Sequence, residues 1–211
     1  MSAGPSLQPA APELVIATNN AAKLTEFARL LSESPWRLRS LEQVGFSAEI
    51  EEPGPKYADN ALAKAAAVSS AVGLAALGDD SGIEIEALHG WPGPASARWL
   101  GVGATDEERM LALLADVQRR TPGDRHARYV CALALCRPGA EPVVAHGECH
   151  GTIVEPRGMS GFGYDPIFLS DDLGVTFGEA AAGAKDRVSH RAHALRRLGE
   201  SGVLDPQVGA A

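Results

Sequence analysis

LGDDSGIEIEALHGWPGPASARW, residues 77–99, is the stretch on which the fold turns. Two adjacent carboxylates, Asp79 and Asp80, follow an apolar run and lead through Ser81 and Gly82 into Ile83-Glu84-Ile85-Glu86-Ala87, whose strict alternation is that of a half-buried strand. Successive side chains of an extended chain point to opposite faces, so only one of the two aspartates can face a given cleft, and the pair must divide its work. Gly82 leaves the parity open, because glycine in a strand often marks a bulge. Taken alone, Asp-Asp-Ser-Gly reads as a polar turn between two strands; the rest of the chain changes those odds.

Upstream, Tyr57 to Val72 has helical spacing, with Tyr57, Ala61, Leu62, Ala65, Val68 and Val72 on one face and Gly73 as the stop. Lys64 lies within it, one turn after Asn60. Leu74 to Leu77 is then a strand that delivers the aspartates. The acidic loop before this helix, Ala48 to Glu52, is closed by Pro53-Gly54-Pro55 and offers Glu51 or Glu52 as a metal ligand. Further back, Leu14 to Ala17 is a short buried strand that stops at Thr18-Asn19-Asn20, residues that favour caps. Leu24, Phe27, Leu30 and Leu31 continue as a helix until Ser34-Pro35, and Trp36 to Leu41 is a second strand. A strand, a polar turn and a helix start present free N–H groups and a positive dipole that suit a phosphate, with Lys23 in the first turn. The Walker pattern is absent, so a phosphate site here is of another kind.

Downstream, Trp91-Pro92-Gly93-Pro94 is a rigid loop, and Ala97, Arg98 and Trp99 begin a short turn. Thr105 to Glu108 has capping-box spacing ahead of a helix carrying Met110, Leu111, Leu113, Leu114 and Val117. Tyr129 to Cys136 and Val143 to Ile153 read as an antiparallel pair. Alternation places His146, Glu148 and His150 on one face of the second strand and Cys149 on the other, which argues against a metal site there. Gly158 to Pro166 is a glycine-rich loop with Phe162 and Tyr164, able to approach a ligand closely and stack on a flat base. Lys185 to Arg191 brings three cations to the opening of a last helix through Val188, Ala192, Leu195 and Leu198.

With 211 residues, 45% hydrophobic and 22% charged, the chain reads as one domain, residues 13–200, between a disordered tail at 1–12 and a C-terminal tail at 201–211. A net charge of -8 argues against a polyanion-binding surface of the nucleic-acid type, which relies on clustered Lys and Arg. Neither a secretory signal nor a membrane span is expected: the N-terminus lacks a basic and an apolar region, and the most apolar run carries Lys64, Ser69, Ser70 and Gly73. Cys131, Cys136 and Cys149 form no CxxC pair and read as reduced thiols of a cytoplasmic protein. Only Lys23, Lys56, Lys64 and Lys185 among 19 basic residues are lysine, so each surviving lysine marks a place that wants a compact ammonium.

Together these are the parts of a nucleoside triphosphate hydrolase: a phosphate-binding helix start, carboxylates for a divalent metal, an aromatic glycine-rich pocket and a late cationic clamp. Thr18 to Lys23, Gly78 to Gly82, Pro92 to Arg98, Gly161 to Pro166 and Ser189-His190-Arg191 resemble, in order, the motifs of the inosine triphosphate pyrophosphatase family, the dITP/XTP pyrophosphatases. The resemblance runs from Leu14 to Leu198 and departs at Asn19, where many members carry Gly or another small residue; that touches loop shape and leaves Thr18, Asn20 and Lys23 in place. It implies an α/β fold, elongated and two-lobed, with a long central mixed β-sheet flanked by helices, a nucleotide cleft between the lobes, and a homodimer. It also implies roles. Thr18, Asn19, Asn20, Ala21, Ala22 and Lys23 would hold phosphates; Asp80 would be the proton acceptor and, with Glu52, a magnesium ligand. Ser81 and Lys64 would touch substrate, and Phe162, Gly163, Tyr164, Asp165, Lys185, His190 and Arg191 would line the nucleotide site.

The expected chemistry is attack of water on the α-phosphate of ITP, dITP or XTP, with Mg2+ between the triphosphate and the carboxylates of Glu52 and Asp80, giving the monophosphate and pyrophosphate. A 6-keto base offers an acceptor where adenine offers a donor, and a site built for one rejects the other by about 10⁴-fold or more. The alternatives are a Maf-type pyrophosphatase, a nucleotide-binding protein without turnover, and a serine hydrolase on Ser81, whose surroundings lack the GxSxG elbow.

Overall fold

The structure is a computed structural model that describes residues 11–52, 54–101 and 103–206. Most of the tail expected at 1–12, and the last five residues, lie outside these. In chain order the elements are β1 (Glu13–Ile16), α1 (Ala21–Leu30), β2 (Arg37–Arg39), α2 (Tyr57–Val72), β3 (Ala75–Ile85), α3 (Asp106–Arg120), β4 (His126–Cys136), β5 (Val143–Ile153), β6 (Phe168–Ser170), α4 (Ala182–Val188) and α5 (His190–Glu200). Short 3-10 turns fill several connections. The strands form one mixed sheet in the order β2-β1-β3-β4-β5-β6, parallel among the first three and antiparallel from β3 onward.

The Asp-Asp-Ser-Gly segment is not a turn. It lies inside one strand of 11 residues, in unbroken antiparallel register with β4 from Ala76 opposite Cys136 to Ile85 opposite Ala127. The ladder to β4 and the buried residues on either side outweigh the turn preference of the four residues. Parity is therefore preserved through Gly82. On one face the odd-numbered residues Ala75 and Leu77 join a hydrophobic cluster with Phe27, Trp36, Leu133, Leu195 and Leu198. Ile83 and Ile85 join another with Leu113, Val117, Tyr129, Phe168 and Phe177. Asp79 and Ser81 lie between the two. This polar gap in an otherwise apolar row is what divides the molecule into two lobes.

On the other face α2 covers β3 and β4 through Ala61, Ala65, Ala132 and Ala134. The small residues allow a close approach, and Gly78 makes it possible: a Cβ there would run into the backbone of Ala61 and Ala65. Gly147 does the same for α5, since its Cβ would meet His190 O and Ala194 N. The last helix is thus seated over the seam between the clusters.

Two boundaries differ from the sequence reading. Lys185 to Arg191 does not open a single helix; Ser189, extended at φ -69° and ψ 154°, ends α4 and caps α5 by accepting from Ala192 N at 3.2 Å. A serine side chain competes well for free helix N–H groups, so the break follows from residue type. Beyond α5 the chain still packs: Val203 is buried in the first cluster and Leu204 O accepts from Trp36 Nε1 at 2.7 Å. The expected antiparallel pair, the helix stop at Gly73 and the Thr105/Glu108 capping box all stand as read.

Candidate active site

β1 makes its last sheet bond to β3 where Ala17 N meets Leu77 O at 2.8 Å, and Ser96 Oγ takes up Ile83 N at 2.9 Å. Between those points β3 has no partner strand on that side. Asp79, Asp80 and Ser81 therefore sit on an open edge, with one carboxylate above the sheet and one below.

Asp79, 2% exposed, is the hub of the upper side. One oxygen pairs with Lys23 Nζ and accepts from Ser81 Oγ at 3.4 Å; the other lies 3.3 Å from Arg191 Nε and accepts from Cys131 Sγ at 3.1 Å. Burial opposes its charge, but the Arg191 and Lys23 cations win and hold the carboxyl well below the usual carboxylate range. Arg191 in turn donates to Ser81 Oγ at 2.7 Å and to Glu26 Oε2 at 3.1 Å. Lys23 stands at the start of α1, where Asn20 caps the helix by accepting from Lys23 N at 3.0 Å. Cations backed by buried carboxylates are fixed in place yet keep a face toward the pocket, which is the arrangement a phosphate needs.

The lower side holds a different set. Asp80 Oδ2 accepts from Asn60 Nδ2 at 3.0 Å, and Asp80 Oδ1 lies 2.9 Å from Lys64 Nζ. Lys64 also reaches Glu52 Oε1 at 2.6 Å, and Arg98 Nη1 reaches Glu52 Oε2 at 2.5 Å. Burial raises the Asp80 carboxyl above its ordinary value although Lys64 and Asn60 pull the other way, which makes it a better proton acceptor. Burial pushes the Glu52 carboxyl up, but Lys64 and Arg98 together outweigh it and bring it below the ordinary range. Two carboxylates thus converge on one ammonium. Among the described residues no group of three or more His, Cys, Asp or Glu could hold a metal. A pair of carboxylate oxygens still fits a hard cation that takes its remaining ligands from water and substrate phosphates, as Mg2+ does.

A pocket opens on the upper side, lined by residues of both lobes, among them Asn20, Lys23, Ser81, Tyr129, Phe162, Tyr164, His190 and Arg191. Asp165 organises its floor: buried, it accepts from Lys185 Nζ at 2.6 Å, Phe162 N at 2.9 Å and Tyr129 Oη at 3.3 Å. The Phe162 ring lies 5.0 Å from Lys185 Nζ and 5.4 Å from the Arg191 guanidinium. Tyr164 donates to Ser96 O at 2.7 Å and receives Trp99 Nε1 at 2.8 Å. His190 stacks on Tyr129 at 4.7 Å. Burial, with Arg191 and Lys185 nearby, lowers its pKa well below the usual value, so the ring is neutral.

That neutral ring has a thermodynamic consequence. The unfolded chain binds a proton at His190 near pH ~6.5 and the folded chain does not, so its contribution to stability is complete above about pH 6.5 and is lost as pH falls below it. Exposed His126 acts in the opposite sense, its pKa raised by the hydrogen bond to Asp124. The comparison that isolates His190 is the pH slope of the urea midpoint in the parent against His190→Gln: the parent should lose more stability between neutral and mildly acidic pH. Equal slopes would contradict the neutral ring.

Of the residues expected to hold phosphates, Asn20 and Lys23 line the pocket, and Ala22 lines an adjoining cavity with Glu26 and Arg29. Thr18 Oγ1 accepts from Asn20 N at 3.2 Å and shapes the turn. Asn19 needs no glycine geometry, since His89 is the described non-glycine residue with positive φ. Ser81, Phe162, Gly163, Tyr164, Asp165, Lys185, His190 and Arg191 gather around the pocket, whereas Glu52, Lys64 and Asp80 lie across the strand edge. Ser81 bonds to Arg191 and Asp79, and among the described residues no histidine hydrogen-bonds to it to activate it as a nucleophile. The sequence reading missed Glu26 and Arg98 and gave Asp79 no partners. Glu26 lies one turn from Lys23, a spacing that puts both on the same face of α1.

Comparison with known proteins agrees with this architecture. The chain is similar to the dITP/XTP pyrophosphatase of Bacillus licheniformis, at 41% identity over 194 residues that cover 92% of this chain and 98% of that one. It is also similar to the dITP/XTP pyrophosphatase of Geobacter sulfurreducens, at 44% identity over 88% of this chain and 94% of that one. Among solved structures, a HAM1 protein from Coxiella burnetii superposes with a TM-score of 0.81 at 36% identity, covering 91% and 98% of the two chains. A nucleoside-triphosphatase / dITP/XTP pyrophosphatase from Mycobacterium abscessus gives 0.70 at 41% identity over 88% and 98%. The Ham1 family model matches residues 14–201, and the chain belongs to the Ham1 family.

Proposed function

We propose that this chain hydrolyses noncanonical purine nucleoside triphosphates, ITP, dITP and XTP, to the monophosphate and pyrophosphate. The observation that carries this reading is the division of labour across the open edge of β3. Fixed cations on one side (Lys23, Arg191) can bind the triphosphate, and on the other side Asp80, Asn60, Lys64 and Glu52 form a carboxylate site. Asp80 takes the proton of the attacking water, and Asn60 and Lys64, each donating to one of its oxygens, fix the orientation of the carboxylate. Glu52 and Asp80 would hold Mg2+, which supplies neutralisation of the charge that develops on the phosphates. The base lies against Phe162 and the Tyr129–His190 stack.

The enzyme is proposed to act in the cytoplasm as a homodimer, without nucleic acid or membrane as a partner. Three buried free thiols, Cys131, Cys136 and Cys149, favour a reducing compartment, and the net charge of -8 disfavours nucleic acid. No helix among the described residues is long and apolar enough to cross a membrane. The homodimer rests on the resemblance to the family.

A pyrophosphate-release assay across ITP, XTP, dITP, GTP and ATP, with and without EDTA, tests the reading. Release from the first three, rejection of ATP and loss of turnover with EDTA are expected. Equal rates with ATP and ITP would contradict the substrate class, and tight binding of ITP with no pyrophosphate would leave a nucleotide sensor instead.

A further inference from the structure

One wall of the pocket carries charged groups that the proposed reaction leaves without a task. Asp106 and Arg109, in the first turn of α3, line the same cavity as Lys23 and Arg191. α3 belongs to the hydrophobic cluster around Ile83 and Ile85, whereas Phe27 of α1 belongs to the other, so Arg109 and Lys23 stand on opposite walls of the seam. Triphosphate drawn to Lys23 and Arg191 therefore extends its base toward Tyr164 and Arg109.

The Arg109 side chain is 15% exposed and held in place. Nη2 reaches Asp106 Oδ1 at 2.6 Å, and Nη1 donates to Ala104 O. A guanidinium has five N–H donors, and the remaining three have no partner among the described residues. Asp106 is committed on both oxygens, because its Oδ2 accepts from Gly163 N at 3.2 Å. The other titratable groups near Arg109 are Glu108 of its own helix, turned back onto Thr105, and Tyr164 of the glycine-rich loop. Deeper in the pocket stand Asp165, Lys185, His190 and Arg191. At this wall, then, the available groups are donors on a permanent cation.

We propose that Arg109 is a specificity-determining residue that favours xanthine over hypoxanthine by donating to the 2-keto edge of the base. The inference rests on the pocket being the purine triphosphate site. Xanthine has a carbonyl at C2, where hypoxanthine has only C–H and guanine has an amino donor that would meet the guanidinium donor to donor. The 2-keto group also makes N3–H of xanthosine acidic enough to ionise near neutral pH, whereas hypoxanthine stays neutral there. A cation facing that edge thus gains both a hydrogen bond and a charge interaction with XTP that ITP cannot supply.

The test is kcat/KM for XTP and for ITP, measured from mildly acidic to mildly alkaline pH on the parent, Arg109→Gln and Arg109→Lys. In the parent the XTP/ITP ratio should rise as the base ionises. Arg109→Gln should lower the ratio about tenfold at the alkaline end and flatten its pH dependence, the size expected for a lost charge-assisted hydrogen bond. Arg109→Lys should keep part of the rise. If Arg109 served only to anchor the loop through Ala104, both substrates would suffer alike and the ratio would not move, which overturns the proposal. A ratio that is flat with pH in the parent overturns it even if Arg109→Gln does not fold. A parent that hydrolyses neither substrate is a different failure, that of the pocket's assignment itself.

Discussion

Asp80→Asn is expected to lower kcat by about 10² to 10⁴-fold, the usual contribution of a positioned general base. The substitution is close to isosteric. An amide oxygen can still face Lys64, but the new NH2 then meets the Asn60 amide donor to donor, so one hydrogen bond is lost together with the proton acceptor. Burial raises the Asp80 carboxyl above its ordinary value although Lys64 and Asn60 oppose it, which favours its use as a proton acceptor. Nucleotide binding should persist, because Lys23, Ser81 and Arg191 are on the other side of the strand. Calorimetric titration with ITP, alongside single-turnover kinetics, separates the two properties. A variant as fast as the parent would remove Asp80 from the mechanism.

Asp79→Ala should be more damaging to the fold than to the chemistry. Asp79 is fully buried between Lys23, Arg191 and the Cys131 thiol, and removing one member of such a cluster leaves buried cations without their countercharge, a loss of about 3–5 kcal/mol. Arg191 keeps Glu26, itself 1% exposed, as a remaining partner. Lys23 keeps no carboxylate among the described ion pairs and should swing toward water, so KM for the triphosphate should rise as well. Urea unfolding gives the stability change. An unchanged midpoint would mean that the cations are not held by this carboxylate.

The two aspartates face opposite sides of the sheet and meet different partners, and that much was legible from adjacency alone, since neighbours on a strand cannot share a face. The continuity of β3 was not. Asp-Asp-Ser-Gly has the local preferences of a turn, and only the pairing with β4, distant in sequence, keeps it extended. The helix from Tyr57 to Val72 was readable because its period, its stop at Gly73 and its neighbours agree. Lys23, Lys64 and Lys185 stood out against a chain that otherwise uses arginine, and all three prove to be paired with carboxylates at the site. Arg98 and Glu26 left no such trace. Arg98 follows a Pro-Gly-rich loop whose path cannot be deduced from residue types, and Glu26 is a buried charge within an otherwise ordinary amphipathic helix. The helix break at Ser189 lies within an apolar period of Val188, Ala192, Leu195 and Leu198 that runs on through it, and the capping serine outweighs that period.

In the proposed mechanism water enters from the Asp80 side of the β3 edge and strikes the α-phosphorus of a triphosphate held from the Lys23 side. Turnover of ITP in heavy-oxygen water, with mass analysis of both products, tests it most directly. The label should appear in the phosphate of inosine monophosphate and not in pyrophosphate; label in the pyrophosphate, or release of single phosphates, would rule this mechanism out.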